Sequence, residues 1–368
     1  MLGLGSNITG ISKVGTTIVT DNLVLRHDYK MRAVEPLSSG AASFDGTNDY
    51  IDCGDIGAAK SLAFWFKTST NITSSSNYQR VFGFSSSYYG VNLGASTGSL
   101  SGEVLTVLTD HSSRTATTTT FDSNTWYHAC ISWNASSNYF DIYINGVLST
   151  DLSTGTHTLA DWDSFIIGTD NGSGTHFGGY ICNVGVWNAT LSQAQVKSIM
   201  NKNYDGLSSS EKTNLVSWWN LDETLGDKGI VLDKNGAIGE NLLDNADFAN
   251  GQDDWNGFGS GNLTLLNGVV IMDGTSGVAQ LGQSILTNGS TYEVEFTITD
   301  HNGDTTNSEI IDNGGNSLFA IPSNGTYKIH FTLAYANANI VFRAKTGSKF
   351  SISNISVKLV NGNHGTLS

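Results

Sequence analysis

Three groups of side chains in this sequence could do chemistry. The first is a close carboxylate pair, Glu293 and Glu295, in Tyr292-Glu-Val-Glu-Phe296. Glycoside hydrolysis needs two carboxyls facing one another across the scissile bond, about 5–5.5 Å apart for retention and about 6.5–9.5 Å for inversion. On an alternating strand Tyr292, Val294 and Phe296 face the core, which leaves both glutamates side by side on the solvent face, a poor geometry for acid–base work. The second group is Asp45, Asn48, Asp49 and Asp52, hard oxygen ligands within eight residues that could hold calcium. Asp-Gly and Asn-Asp are equally what a tight turn requires. The third is aromatic. Tyr78, Tyr88 and Tyr89 flank Val81-Phe-Gly-Phe84, and Trp162 sits between Asp161 and Asp163. An exposed aromatic face beside amide and carboxylate acceptors suits a sugar ring, so these four are the carbohydrate-binding candidates, against the competing reading of packed corners.

No catalytic residue is expected. His128 has no acid or cysteine at nucleophile spacing and reads as a structural histidine. The serine runs Thr73–Ser76 and Ser85–Ser87 read as loop tips, without a Gly-x-Ser-x-Gly elbow. No cofactor is implied, calcium being the one candidate metal.

The elements that must position these residues are short strands. With 2 Pro, 42 Gly and abundant Ser, Thr and Asn between brief apolar runs, the composition is that of an all-β chain with many tight turns. Its 368 residues suffice for two domains. In Tyr127-His-Ala-Cys-Ile-Ser-Trp133, the residues Tyr127, Ala129, Ile131 and Trp133 share one face, while His128, Cys130 and Ser132 share the other. Phe140, Ile142 and Ile144 precede Asn145-Gly146, a type I′ hairpin signal. Ser192 with Gln195, and Ser208 with Glu211, form capping-box patterns that predict two short helices. The formal net charge of -15 opposes phosphate, so nucleic-acid binding is not expected. No apolar run is long enough for a transmembrane helix, and no basic segment followed by an apolar one marks a secretory signal. Cys53, Cys130 and Cys182 are an odd, widely spaced set, read as unpaired buried side chains of a protein made in a reducing cytoplasm.

Five stretches occur in a telling order: Phe44-Asp-Gly-Thr-Asn-Asp-Tyr-Ile-Asp-Cys-Gly-Asp55, Ser61-Leu-Ala-Phe-Trp-Phe-Lys67, Thr125-Trp-Tyr-His-Ala-Cys-Ile-Ser-Trp133, Phe140-Asp-Ile-Tyr-Ile-Asn-Gly-Val-Leu148 and Gly179–Ser192. Over roughly residues 30–205 this series resembles the laminin-G-like, concanavalin-A-like jelly rolls. Residues 241–255 and 350–359 resemble the opening and closing strands of a carbohydrate-binding-module or galactose-binding-type jelly roll. That second resemblance implies a core position for Trp255. It also implies a structural calcium held by two acids, but Ala249 and Asn354 stand where those acids would be. The expected fold is therefore two antiparallel β-jelly-roll sandwiches with short helices after the first. Residues 1–20 read as an N-terminal attachment arm, 21–240 as the first jelly roll with Leu23–Tyr29 its first strand, 241–360 as an inserted second jelly roll, and 361–368 as a strand returning to the first.

Jelly rolls of extracellular type without a signal, unpaired cysteines and an apolar arm (Leu2, Leu4, Ile8, Ile11, Val14, Ile18) together point to a non-enzymatic virion protein. Chains of this kind resemble the head-decoration, head-fibre and tail-fibre proteins of tailed bacteriophages. Such a protein would be made in the host cytoplasm, pack against other virion proteins or its own copies, and could bind a host-surface glycan. The alternative is a secreted bacterial polysaccharide-binding protein or glycoside hydrolase.

Overall fold

Short amphipathic strands build four sheets, paired into two sandwiches. The computed structural model describes residues 36–367 except 37, 39, 72–77, 85–88, 95–103, 110–112, 156, 158, 171–174, 223–228, 305, 313 and 335–337. The attachment arm and the strand expected over residues 23–29 lie outside the described residues.

In the first sandwich, one sheet runs in the order Ala42–Asp45, Gly178–Trp187, Ser61–Thr68, Tyr127–Asn134, Tyr139–Ile144, Val147–Leu148, with Leu215–Trp219 also paired to Gly178–Trp187. The facing sheet runs Thr150–Thr154, Arg114–Thr117, Leu105–Leu108, Gly90–Leu93, Gln79–Gly83, Ile166–Ile167, Ile51–Asp52, Gly365–Leu367, Ile230–Val231. Leu62, Phe64 and Phe66 meet Phe82, Val91 and Val107 between the sheets. Alternation puts Ala129 and Ile131 into that core. The opposite face of the same strand is buried too, because Cys130 packs with Trp187, Leu191, Val196, Ile199 and Trp218 in a second apolar layer. The helix Gln193–Ile199 supplies part of that layer, and its Ser192–Gln195 capping box forms as the sequence implies. The Ser208–Glu211 pair also makes reciprocal cap bonds, but no helix follows. Asn214 turns to φ 60° and the chain enters Leu215–Trp219, so sheet pairing overrides the local helix signal. At Asn145-Gly146 both residues take positive φ, 49° and 75°, as a type I′ turn demands.

In the second sandwich, one sheet runs Asn262–Leu266, Val269–Asp273, Lys349–Val360, Thr291–Thr299, Gly325–Thr332, with Ile238–Asn241 also paired to Lys349–Val360. The other runs Asn256–Phe258, Ala279–Ser284, Asn339–Ala344, Ser308–Asp312, Ser317–Ala320. Met272, Val294, Phe296, Ile310, Phe342 and Ile352 fill the space between them. Trp255 is buried against Phe248 and donates its indole N–H to the Asn245 carbonyl at 3.0 Å.

Asp233 knots the passage between the sandwiches. Its carboxylate accepts from the backbone N–H groups of Trp218, Asn235 and Asn363 at 2.9, 2.9 and 3.0 Å. Its own N–H donates to His364 Nδ1 at 3.1 Å, and Trp219 Nε1 donates to the Asn363 carbonyl at 2.8 Å. The chain thus crosses at Val231 and returns at Gly365, on neighbouring strands of one sheet.

Candidate functional site

Cross-strand register on the smaller sheet of the second sandwich lines up Phe258, Gln280, Arg343, Glu309 and Ala320 in one row. Residues directly opposite on neighbouring strands share a face. Their inward neighbours Leu281, Phe342 and Ile310 are fully buried, so this row faces away from the core. Beside it lie Gly282, Val341 and Ile311. A Cβ at Gly282 would stand 2.6 Å from the Ile340 carbonyl oxygen and 3.0 Å from Val341 Cγ2, so glycine keeps this surface low. The result is a groove of about 300 Å³ lined by Phe258, Gln280, Ile311, Gly314, Gly315, Val341 and Arg343.

Phe258 is 44% exposed. Arg343 is aimed by Glu309, whose Oε1 accepts from Arg343 Nε at 2.8 Å and also from Nη2. Lys345 Nζ reaches the same oxygen at 2.6 Å. Burial raises the Glu309 pKa, but the bonds from Lys345 and Arg343 outweigh that and hold the carboxyl below its ordinary value. An open aromatic face, an amide and a fixed guanidinium within one groove can stack on a sugar ring and hydrogen-bond its substituents. The lining residues include no carboxylate, and Glu309 beside them is fully engaged by two cations, so the paired acids of glycoside hydrolysis are not assembled here.

Two of the four aromatics singled out from sequence are closed to a ligand. Tyr89 and Trp162 are buried, at 2% and 0% exposure. Trp162 stacks on Phe84 with centroids 4.1 Å apart, and Tyr89 meets the same ring edge-on while its hydroxyl accepts from the Ala160 N–H. Both are packed corners of the first core, which corrects the carbohydrate-binding assignment for them. Tyr78 is half-buried; Tyr88 lies outside the described residues. Tyr180, a second exposed aromatic, has its ring face taken by Lys67 Nζ at 4.6 Å.

The acidic cluster is engaged in turn bonds. Asp45 Oδ1 accepts from the N–H groups of Thr47 and Asn48, Asp49 Oδ2 from that of Asp45, and Asp52 Oδ1 from that of Gly54. The bond from Thr47 is the main cause of a lowered Asp45 pKa. Among the described residues no group of three or more His, Cys, Asp or Glu side chains could hold a metal ion. In the second sandwich Asp247 Oδ1 accepts from the Ala249 N–H, and Asn354, at φ 52°, points its amide to Thr297.

Glu293 needs a correction. Tyr292, Val294 and Phe296 do face the core, but Glu293 is also buried, at 4% exposure, rather than solvent-facing. Its Oε2 meets His330 Nε2 at 3.3 Å and Lys328 Nζ at 3.2 Å from the neighbouring strand. Only Glu295 of the pair is partly open, 3.7 Å from the same lysine. His128 is buried against Trp65 and its imidazole is pushed down to about 3 by that burial, which keeps it neutral. Cys53, Cys130 and Cys182 are free and buried.

Residues 45–197 match the profile of the Concanavalin A-like lectin/glucanases superfamily. Solved structures with similar folds include the heptameric SAP-like pentraxin of Limulus polyphemus, at 17% identity and TM-score 0.34, over 43% of this chain and 80% of that one. Domain 4 of AbnA, a GH43 extracellular arabinanase of Geobacillus stearothermophilus, matches at 18% identity and TM-score 0.33, over 44% of this chain and 76% of that one. The CBM40 of the Ruminococcus gnavus IT-sialidase matches at 12% identity and TM-score 0.33, over 44% and 97%. No curated protein matches the chain. Residues 45–197, within the first jelly roll, thus match that superfamily, and a second jelly-roll-like β-sandwich follows them.

These findings overturn the expectation of a tailed-bacteriophage virion protein. The similar structures named above are a pentraxin, an arabinanase domain and a sialidase carbohydrate-binding module, and none of these three is a phage head-decoration or fibre protein. Among the described residues no helix is long and apolar enough to cross a membrane.

Proposed function

We propose that this protein binds a glycan without cleaving it, and that the groove beside Phe258 is the binding site. The observation that carries the reading is the row Phe258, Gln280, Arg343, in which an exposed ring stands on the same sheet face as an amide and a fixed guanidinium. Two features support a non-enzymatic role: Glu309 is neutralised by its ion pairs, and Glu293 is buried against His330 and Lys328. The alternative first named from the sequence, a bacterial polysaccharide-binding protein, is retained in its binding half.

The test is a glycan array followed by titration calorimetry on the strongest ligand. Phe258→Ala removes an exposed ring, so the fold should be unaffected while affinity falls at least about ten-fold, equivalent to about 1.4 kcal/mol. No reducing sugar should appear on prolonged incubation with the same ligand. An array on which nothing binds, or an unaltered affinity in Phe258→Ala, would remove the site.

A further inference from the structure

We infer that the groove selects a glycan bearing carboxylate groups, an inference that rests on the binding site proposed above. The argument is one of local charge. Arg343 lines the groove, Lys345 stands two positions further along the chain, and among the described residues Glu309 is the sole ion-pair partner of both. Two cations against one anion leave an excess positive charge on this face, in a chain whose formal net charge is -15. An excess cation on an acidic protein attracts anions to one place while the rest of the surface repels them.

The way Arg343 is held sharpens this. Its Nε and Nη2 both point at Glu309 Oε1, so its orientation is fixed while Nη1 remains for a ligand. Arg343 keeps only 17% of its side chain exposed, and it lines the groove. The remaining Nη1, with limited solvent access, favours a charged oxygen acceptor such as a carboxylate, since a charge-assisted hydrogen bond is stronger than one to a neutral hydroxyl. Phe258 and Arg343 are two strands apart, a separation of about 9.6 Å from strand spacing. The ring stacked on Phe258 and the carboxylate on Arg343 therefore belong to neighbouring sugar units, with Gln280 between them. A polymer with uronic acid residues meets both requirements.

Binding is measured by affinity electrophoresis and calorimetry with polygalacturonate, with the same polymer after chemical reduction of its carboxyls, and with dextran sulfate, at fixed ionic strength. Polygalacturonate should bind at least ten-fold more tightly than its carboxyl-reduced form. Arg343→Gln should abolish that preference, and Lys345→Gln should reduce it without touching the ring or the groove floor. Comparison of the two polymers on the unaltered protein needs no variant, so a misfolded Arg343→Gln protein leaves the test intact. Equal binding of the reduced polymer, with loss in Phe258→Ala, overturns carboxylate selection and leaves the glycan site standing. Dextran sulfate binding as tightly as polygalacturonate overturns it in favour of unselective charge. If no polymer or array glycan binds, both readings fall.

Discussion

His128 shows how a single buried side chain sets pH behaviour. The native protein cannot accept a proton there until about pH 3, whereas an unfolded chain does so near 6.5. Below pH 6.5 the unfolded state therefore binds more protons, and stability falls as the pH drops, by up to about 1.4 kcal/mol per unit from this group. His128→Phe keeps a ring against Trp65 and removes the titration. Urea unfolding midpoints at pH 7 and pH 4 should differ less in the variant than in the parent; parallel changes would show that His128 titrates normally. At this scale the turn acids were legible, because Asp45 and Asp52 bond N–H groups two residues onward, a purely local event. The binding candidates were not. Tyr89 and Trp162 look open in sequence, yet Phe84 draws both rings inward. Phe258, Gln280 and Arg343 carry no shared motif and meet only through strand register.

The two capping boxes show how an element is decided. Ser192 and Gln195 open a helix because Val196 and Ile199 have an apolar layer to enter. Ser208 and Glu211 make the same bonds, but Leu215 and the tryptophans after it are claimed by the neighbouring strand. The single turn is kept by charge instead. Burial raises the Glu211 pKa, but bonds from Lys202, Ser198 and Ser208 bring it down to about 2. A carboxyl lowered from its ordinary 4.5 contributes stability that is present above that value and lost as the pH falls toward 2. Glu211→Gln should lower stability at pH 7 by about 1.5–3 kcal/mol, the worth of charged hydrogen bonds, and narrow the gap to the parent near pH 2.5. Ser192→Ala should cost about 1 kcal/mol with no such pH dependence. Denaturant titrations at the two pH values separate them. Strands and the Asn145-Gly146 hairpin were readable because alternation and positive φ are local signals, whereas the fate of Ser208–Glu211 rested on a distant partner.

For the whole molecule, Asp233 matters more than its size suggests. Its carboxylate gathers N–H groups from three separate places, while burial raises its pKa. A raised carboxylate pKa means that the native state favours the proton, so this group weakens stability as the pH rises through its native value. Asp233→Ala leaves three N–H groups without this acceptor and should cost roughly 2–5 kcal/mol. Deleting residues 362–368 should do comparable damage to the first sandwich, seen in its tryptophan emission, because Trp219 bonds the Asn363 carbonyl. An unchanged unfolding midpoint in either variant would refute the knot. We propose on the same grounds that residues 241–360 are an insert in the first domain.

The strand Gly365–Leu367 lies between Ile51–Asp52 and Ile230–Val231, yet it is the last of the three to leave the ribosome. During synthesis the second sandwich emerges whole before the first can finish its sheet. Until then two strands expose unpaired backbone to any passing chain, the hazard that edges carry. Their brevity, two residues each, limits that exposure. On the insertion proposed above, a released chain truncated after residue 360 should hold a finished second sandwich beside a protease-sensitive first one.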